Sequence, residues 1–120
     1  MSVQPPPAWI NAAIERRMGR QYNVAAFAGA LGWALRGVRD YRVTSWYRTP
    51  QHNLAVGGSS RSQHLLGMAA DFVFPSAYAA QAISALRAQG FTVIDEGDHI
   101  HVQAWPAGQL DAVFRDAGFL

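Results

Sequence analysis

Cysteine is missing from all 120 residues. Disulfides and thiolate metal sites are therefore both excluded, and any metal ion must be held by nitrogen and oxygen. Lysine is missing too. The ten basic residues are all arginine, spread along the chain, and the formal net charge is only +2. Nucleic-acid binding needs a concentrated basic face and is not expected. Charged residues are scarce, at 15%, while half the residues are apolar, a balance that favours folding over disorder. No apolar run approaches the roughly 18 residues of a membrane-spanning helix. The first twenty residues lack an apolar run and carry Glu15, Arg16, Arg17 and Arg20, so no secretory signal peptide is expected.

What is present fits one domain over 1–120, long enough to bury about two thirds of its unfolded surface. Residues 1–7, ending in Pro5-Pro6-Pro7, read as a stiff, extended lead-in. Trp9, Ile10, Ala13, Ile14 and Arg17 recur at helical spacing, which predicts a helix over 8–18 stopped by Gly19. Asn23 is placed to cap a second helix running to Arg36, with Phe27, Leu31 and Leu35 among its inward residues. Gly29 and Gly32 weaken that helix unless they allow close packing. From Val38 to Tyr47 the period changes to two, a strand signal. Pro50 opens a helical turn to Val56, and Gly57-Gly58-Ser59-Ser60 reads as a loop. Further on, a buried strand is expected over 67–74 and a helix capped by Ser76 running to Gln89. Strands over 91–95 and 99–104 join through Glu96-Gly97, and a short helix in 107–120 packs Leu110, Val113 and Phe114. The class is α+β: a small antiparallel sheet with helices packed on one side.

Chemistry concentrates in SQHLLGMAAD, residues 62–71. A straight strand would hold His64 and Asp71 roughly 23 Å apart, and a helix about 10 Å apart along its axis. Neither lets both touch one ion at bond lengths near 2 Å. A reversal at Gly67–Met68 does, since glycine tolerates a positive φ. Folded back as a hairpin-like pair, the two residues would face each other with Cβ atoms roughly 5 Å apart. Downstream, DHIHVQ places His99 and His101 two apart, on one face of a strand, with Asp98 at its entry. Two histidines and a carboxylate leave a fourth position open, the arrangement of a hydrolytic zinc centre. His52 reads as a structural loop or short-helix histidine.

SQHLLGMAAD resembles the Ser-x-His-x-x-Gly-x-Ala-x-Asp signature of the zinc D-alanyl-D-alanine peptidases. That family takes in cell-wall carboxypeptidases, dipeptidases and phage L-alanyl-D-glutamate endopeptidases, within the LAS (hedgehog-like) fold group. SWYRTPQHNLAVGG resembles the family's Ser-x-Tyr-Arg-Thr/Ser-Pro-x-x-Asn segment, and DHIHVQAWP its Asp/Glu-x-x-His ending. The resemblance implies one zinc ion held by His64, Asp71 and His101, with Asp98 as general base. It implies that Arg48 contacts the substrate carbonyl or carboxylate, and that Ser62 provides a hydroxyl near the substrate. Glu96 and Asp95 compete with Asp98 for the base, and Arg48 has the alternative of pairing with a surface carboxylate. His99 either lines the substrate site or packs. Many family members carry aspartate two residues after the last histidine; Gln103 stands there instead.

The implied function is hydrolysis of an amide bond in peptidoglycan stem peptides by an endolysin-like endopeptidase or a D,D-carboxypeptidase. Such a protein would act on the bacterial wall after holin-dependent release or as a virion component. The alternative is a non-catalytic wall- or receptor-binding module of a phage-like particle, anchored through the N-terminus and keeping the fold, with or without the zinc.

Overall fold

A four-stranded antiparallel sheet organises the computed structural model, which describes residues 3–106 and 108–120. Its strands are β1 (Arg42–Ser45), β2 (Ala69–Val73), β3 (Thr92–Asp95) and β4 (Ile100–Gln103), in the order β1-β2-β4-β3. The helices are α1 (Ala8–Met18), α2 (Val24–Ala34), α3 (Pro50–Ala55), α4 (Ala79–Ala88) and α5 (Asp111–Asp116). The α+β class is as expected. None of the described helices is long and apolar enough to cross a membrane.

Strand alternation divides the sheet into two faces. Ala70, Phe72, Val93, Ile100 and Val102 point into one core with Ile10 and Ile14 of α1, Phe27 and Leu31 of α2, Leu86 of α4, and Val113 and Phe114 of α5. On the other face the register lines up one residue from each strand: Ser45 beside Asp71, Asp71 beside His101, and His101 beside Ile94. A β-bulge between Val43 and Ser45 brings Ser45 into that row. Val43 pairs with Phe72, so regular pairing would have put Thr44 opposite Asp71.

Several expected boundaries shift for local reasons. The first strand begins at Arg42, not Val38, because Asp40 takes a left-handed φ of 59° that breaks extension. Ser76 is not the cap of the third long helix: a turn closed by the Tyr78 N–H on the Pro75 carbonyl comes first, and the helix starts at Ala79. Trp9 is 54% exposed and not part of the buried stripe. Ile10, Ala13 and Ile14 already fill that side of α1, and the Trp9 ring packs at the edge, 6.2 Å from that of Phe119. Asn23 does cap α2, accepting the Ala26 N–H at 2.8 Å. In the lead-in, the Gln4 carbonyl accepts the Tyr47 N–H at 3.3 Å. Met1, Ser2 and Ala107, which fall within the expected lead-in and tail, lie outside the described residues.

Two glycines are opposite cases. Gly67, at φ 68° and ψ 18°, ends the 3-10 turn Gln63–Leu66, and an added Cβ would overlap the Pro6 ring. Gly29 lies on the exposed side of α2 with open space where its Cβ would be. Gly67→Ala should therefore destabilise the protein by about 2 kcal/mol or more, from the left-handed backbone and the overlap together. Gly29→Ala should stabilise it by roughly 0.5–1 kcal/mol. Urea unfolding of the two variants checks both signs.

Candidate metal centre

Ser62 starts the turn that carries His64, its hydroxyl oxygen accepting the His64 N–H at 3.3 Å. His64 is 1% exposed. The chain reverses at Gly67, where the Met68 N–H reaches back to the Gln63 carbonyl at 3.0 Å, and β2 then delivers Asp71. The reversal is therefore at the expected glycine, but its form differs. His64 sits on a helical turn and not on a strand paired with β2, because residues 63–66 close their backbone hydrogen bonds locally.

The protons on the two imidazoles follow from their outer partners. His64 Nδ1 lies 2.6 Å from the Trp46 carbonyl, which can only accept, so Nδ1 carries the hydrogen and Nε2 presents a lone pair. That Nε2 is 3.1 Å from Asp71 Oδ1. His101 is the mirror case. The Gln103 amide nitrogen donates to the Trp105 carbonyl, which turns Gln103 Oε1 towards His101 Nε2 at 2.8 Å. His101 Nδ1 is then the bare nitrogen, 3.0 Å from the same Asp71 Oδ1. The other oxygen of Asp71, Oδ2, accepts from Arg48 Nη2 at 3.0 Å.

Three lone pairs thus converge, with the candidate ligand atoms of His64, Asp71 and His101 all within 4.8 Å of one another. Lone pairs facing each other at 3 Å repel unless a proton or a cation lies between them. Two neutral imidazoles and one carboxylate, with outer hydrogen bonds fixing both rings, fit a divalent ion such as zinc and leave a coordination position for solvent or substrate. Gln103, two residues after His101, occupies the outer hydrogen-bonding position on that ring.

Without the ion, protons must serve. Burial by itself pushes the Asp71 carboxyl up, but the hydrogen bonds from His101 and His64, and their charges, hold it well below the usual carboxylate range. Burial pushes His101 down; its bonds to Asp71 and Gln103 and the charges of Asp71 and Glu96 outweigh that and raise it.

The trio opens into a cleft of about 620 Å³ that Arg48, Ser62 and His99 also line. Asp98 is not on that wall. It is 91% exposed at the side chain, and its Oδ1 accepts the His99 Nδ1–H at 2.7 Å. His99 Nε2 is left as an acceptor 4.0 Å from Asp71 Oδ1. Glu96, the rival carboxylate, does line the cleft. Arg48 faces Asp71 and not a surface carboxylate, and its Nε donates to Ser45 Oγ at 3.3 Å. His52 is exposed on α3, outside the cleft.

Sequence reasoning missed Gln63, Ser45 and the Trp46 carbonyl as supports. Gln63 donates to the Trp105 carbonyl and accepts the Trp105 N–H at 3.2 Å. A backbone carbonyl leaves no mark in a sequence. The position of Gln103 on the face of His101, by contrast, was open to strand parity.

A family model described as Peptidase M15 matches residues 24–103, more than half of the chain, with every member of the trio inside the match. Neither a curated protein nor a solved structure matches the chain.

The pKa shifts predict how the metal-free protein responds to pH. The lowered Asp71 contributes stability above the unfolded value near 3.9, lost as pH falls through its folded value. The raised His101 contributes stability below the unfolded value near 6.5, lost as pH rises through its folded value. With a chelator present, the thermal midpoint should therefore be highest between about pH 4 and 6.5. His101→Gln should remove the decline on the alkaline side. Zinc should displace the His101 proton, so calorimetry in buffers of differing ionisation enthalpy should detect proton release on binding.

Proposed function

The chain belongs to the M15 peptidase family, and on that premise we propose that it is a zinc-dependent peptidase hydrolysing an amide bond in the stem peptides of bacterial peptidoglycan. The observation that carries this reading is the pair of imidazoles whose N–H groups are both tied to carbonyl oxygens, so that both bare nitrogens meet Asp71 Oδ1.

His64 Nε2, His101 Nδ1 and Asp71 Oδ1 would hold the ion. When bound, zinc supplies Lewis acidity, lowering the pKa of a water towards neutrality and polarising the scissile carbonyl. His99 is the group on the chain suited to take the proton from the attacking water: its Nε2 is an acceptor on the cleft wall, and Asp98 fixes the tautomer from behind. Asp98, the base implied by the family resemblance, then acts through His99, stabilising the imidazolium as it forms. The same imidazolium can return the proton to the leaving amine. Arg48 keeps Asp71 Oδ2 engaged, and its guanidinium, on the lining of the same cleft, would stabilise the oxygen charge that develops in the tetrahedral state. A non-catalytic binding module would need none of the His99–Asp98 arrangement, which favours turnover.

The purified protein should carry one zinc and release new amino termini from purified sacculi. His64→Ala should abolish both. His99→Ala should lower kcat by about 10²–10⁴ with zinc content unchanged, and Asp98→Asn should lower kcat in the same direction, again without metal loss. Glu96→Gln should cost less than either. A chelated sample that still hydrolyses sacculi would refute the proposal.

A further inference from the structure

Two arginines line the cleft, and they are used differently. Arg48 is committed to the metal trio through Asp71 and to Ser45. Arg61 is held differently. Its Nε donates to Asp111 Oδ1 at 3.1 Å, in a pair where both side chains are about half exposed. Among the described residues its two terminal nitrogens have no hydrogen-bond partner.

The backbone beneath Arg61 is well tied. Ser59 Oγ accepts the Arg61 N–H at 3.1 Å, and the Ser59 carbonyl accepts both the Ser62 N–H at 3.0 Å and Asn53 Nδ2 at 2.9 Å. Asn53 is itself buried at 4% exposure. The guanidinium thus stands on a hydrogen-bonded loop, with its stem tethered by one bond and, among the described residues, its terminal fork free. The β3–β4 hairpin also contributes to the cleft lining the opposite charge, Glu96, and the apolar Ile94. Arg61 stands three positions before His64, so their Cα atoms are at most about 11 Å apart.

We propose that Arg61 binds a substrate carboxylate, setting the cleft's preference for peptides with a free carboxylate within about two residues of the cleaved bond. The proposal rests on the reading of the cleft as a peptidase site. The chemistry is the fork of two parallel N–H groups on a carboxylate, which an ammonium or an amide does not reproduce. Asp111 holds the guanidinium through Nε, which leaves the terminal nitrogens available. A substrate carboxylate therefore need not displace Asp111. Glu96 disfavours the same anion at the hairpin part of the lining, which gives the peptide one preferred direction.

The test uses the zinc-loaded protein and two pairs of synthetic stem pentapeptides. In one pair the D-glutamate α-carboxylate is free or amidated; in the other the C-terminal carboxylate is free or amidated. The unaltered protein should prefer the acid in at least one pair by about ten- to hundredfold in kcat/KM, the range of a charge-assisted hydrogen bond. Arg61→Ala should bring that ratio close to one, mainly by raising KM for the acid, with zinc content retained as the check on folding. Arg61→Lys should restore only part of the preference. If the unaltered protein cleaves the peptides but shows no preference, or if Arg61→Ala lowers acid and amide equally, the carboxylate role is overturned and the peptidase reading stands. Failure to cleave any of the four, in a zinc-loaded sample, would overturn the peptidase reading and this inference with it.

Discussion

Two imidazole nitrogens and a carboxylate oxygen, all bearing lone pairs, meet around Asp71 Oδ1 at 3.0–3.1 Å, and much of the remaining structure holds them in a contact that is repulsive until something positive fills it. The work is done from outside the trio. The Trp46 carbonyl fixes the His64 tautomer, Gln103 fixes that of His101, and Arg48 occupies the far oxygen of Asp71. Gln63 and Gln103 both donate to the Trp105 carbonyl. The turn bearing His64 and the strand bearing His101 are therefore braced against one backbone oxygen, although they are far apart along the chain. Such supports set ring orientation and ligand basicity as much as the ligands themselves do.

The sheet makes this arrangement possible. Pairing across β1, β2 and β4 places Ser45, Asp71 and His101 side by side on the face opposite the hydrophobic core. Ala70, Phe72 and Val102 alternate with them into the core, so the site rests on a packed floor. Segments outside the matched span 24–103 also contribute. Ile10 and Ile14 of α1 and Val113 and Phe114 of α5 complete the core, while Asp111 of α5 tethers Arg61 at the cleft. The flanks therefore help to shape both the interior and the cleft.

Much of this was legible in the residues. Apolar spacing and punctuation by glycine, proline and asparagine located α1, α2 and α3 closely, because each rests on local periodicity or a local cap. The seven-residue interval from His64 to Asp71 demanded a reversal, and Gly67 was the residue able to make it. The type of reversal was not legible. A hairpin and a 3-10 turn bring the same two residues together, and only the backbone hydrogen bonds distinguish them. Parity put His99 beside His101, yet it could not say that Asp98 would point away from the cleft and bond to His99. Trp9 matched the helical stripe by spacing, but the core had no room for it.

By itself, the sequence determined the donor chemistry. A chain with no cysteine, and with three of its four histidines in two short segments, can hold zinc only through nitrogen and oxygen. Residue types and short-range spacing suffice for that, since they limit which atoms are available and which face of an element they occupy. Tertiary structure alone decided which nitrogen of each ring is bare, which oxygen of Asp71 is free, and which arginine is committed to the trio. Those choices depend on the Trp46 carbonyl, on the bulge that moves Ser45 beside Asp71, and on Asp111 arriving from α5. Contacts between segments distant in the chain settle them, and no local pattern encodes those contacts.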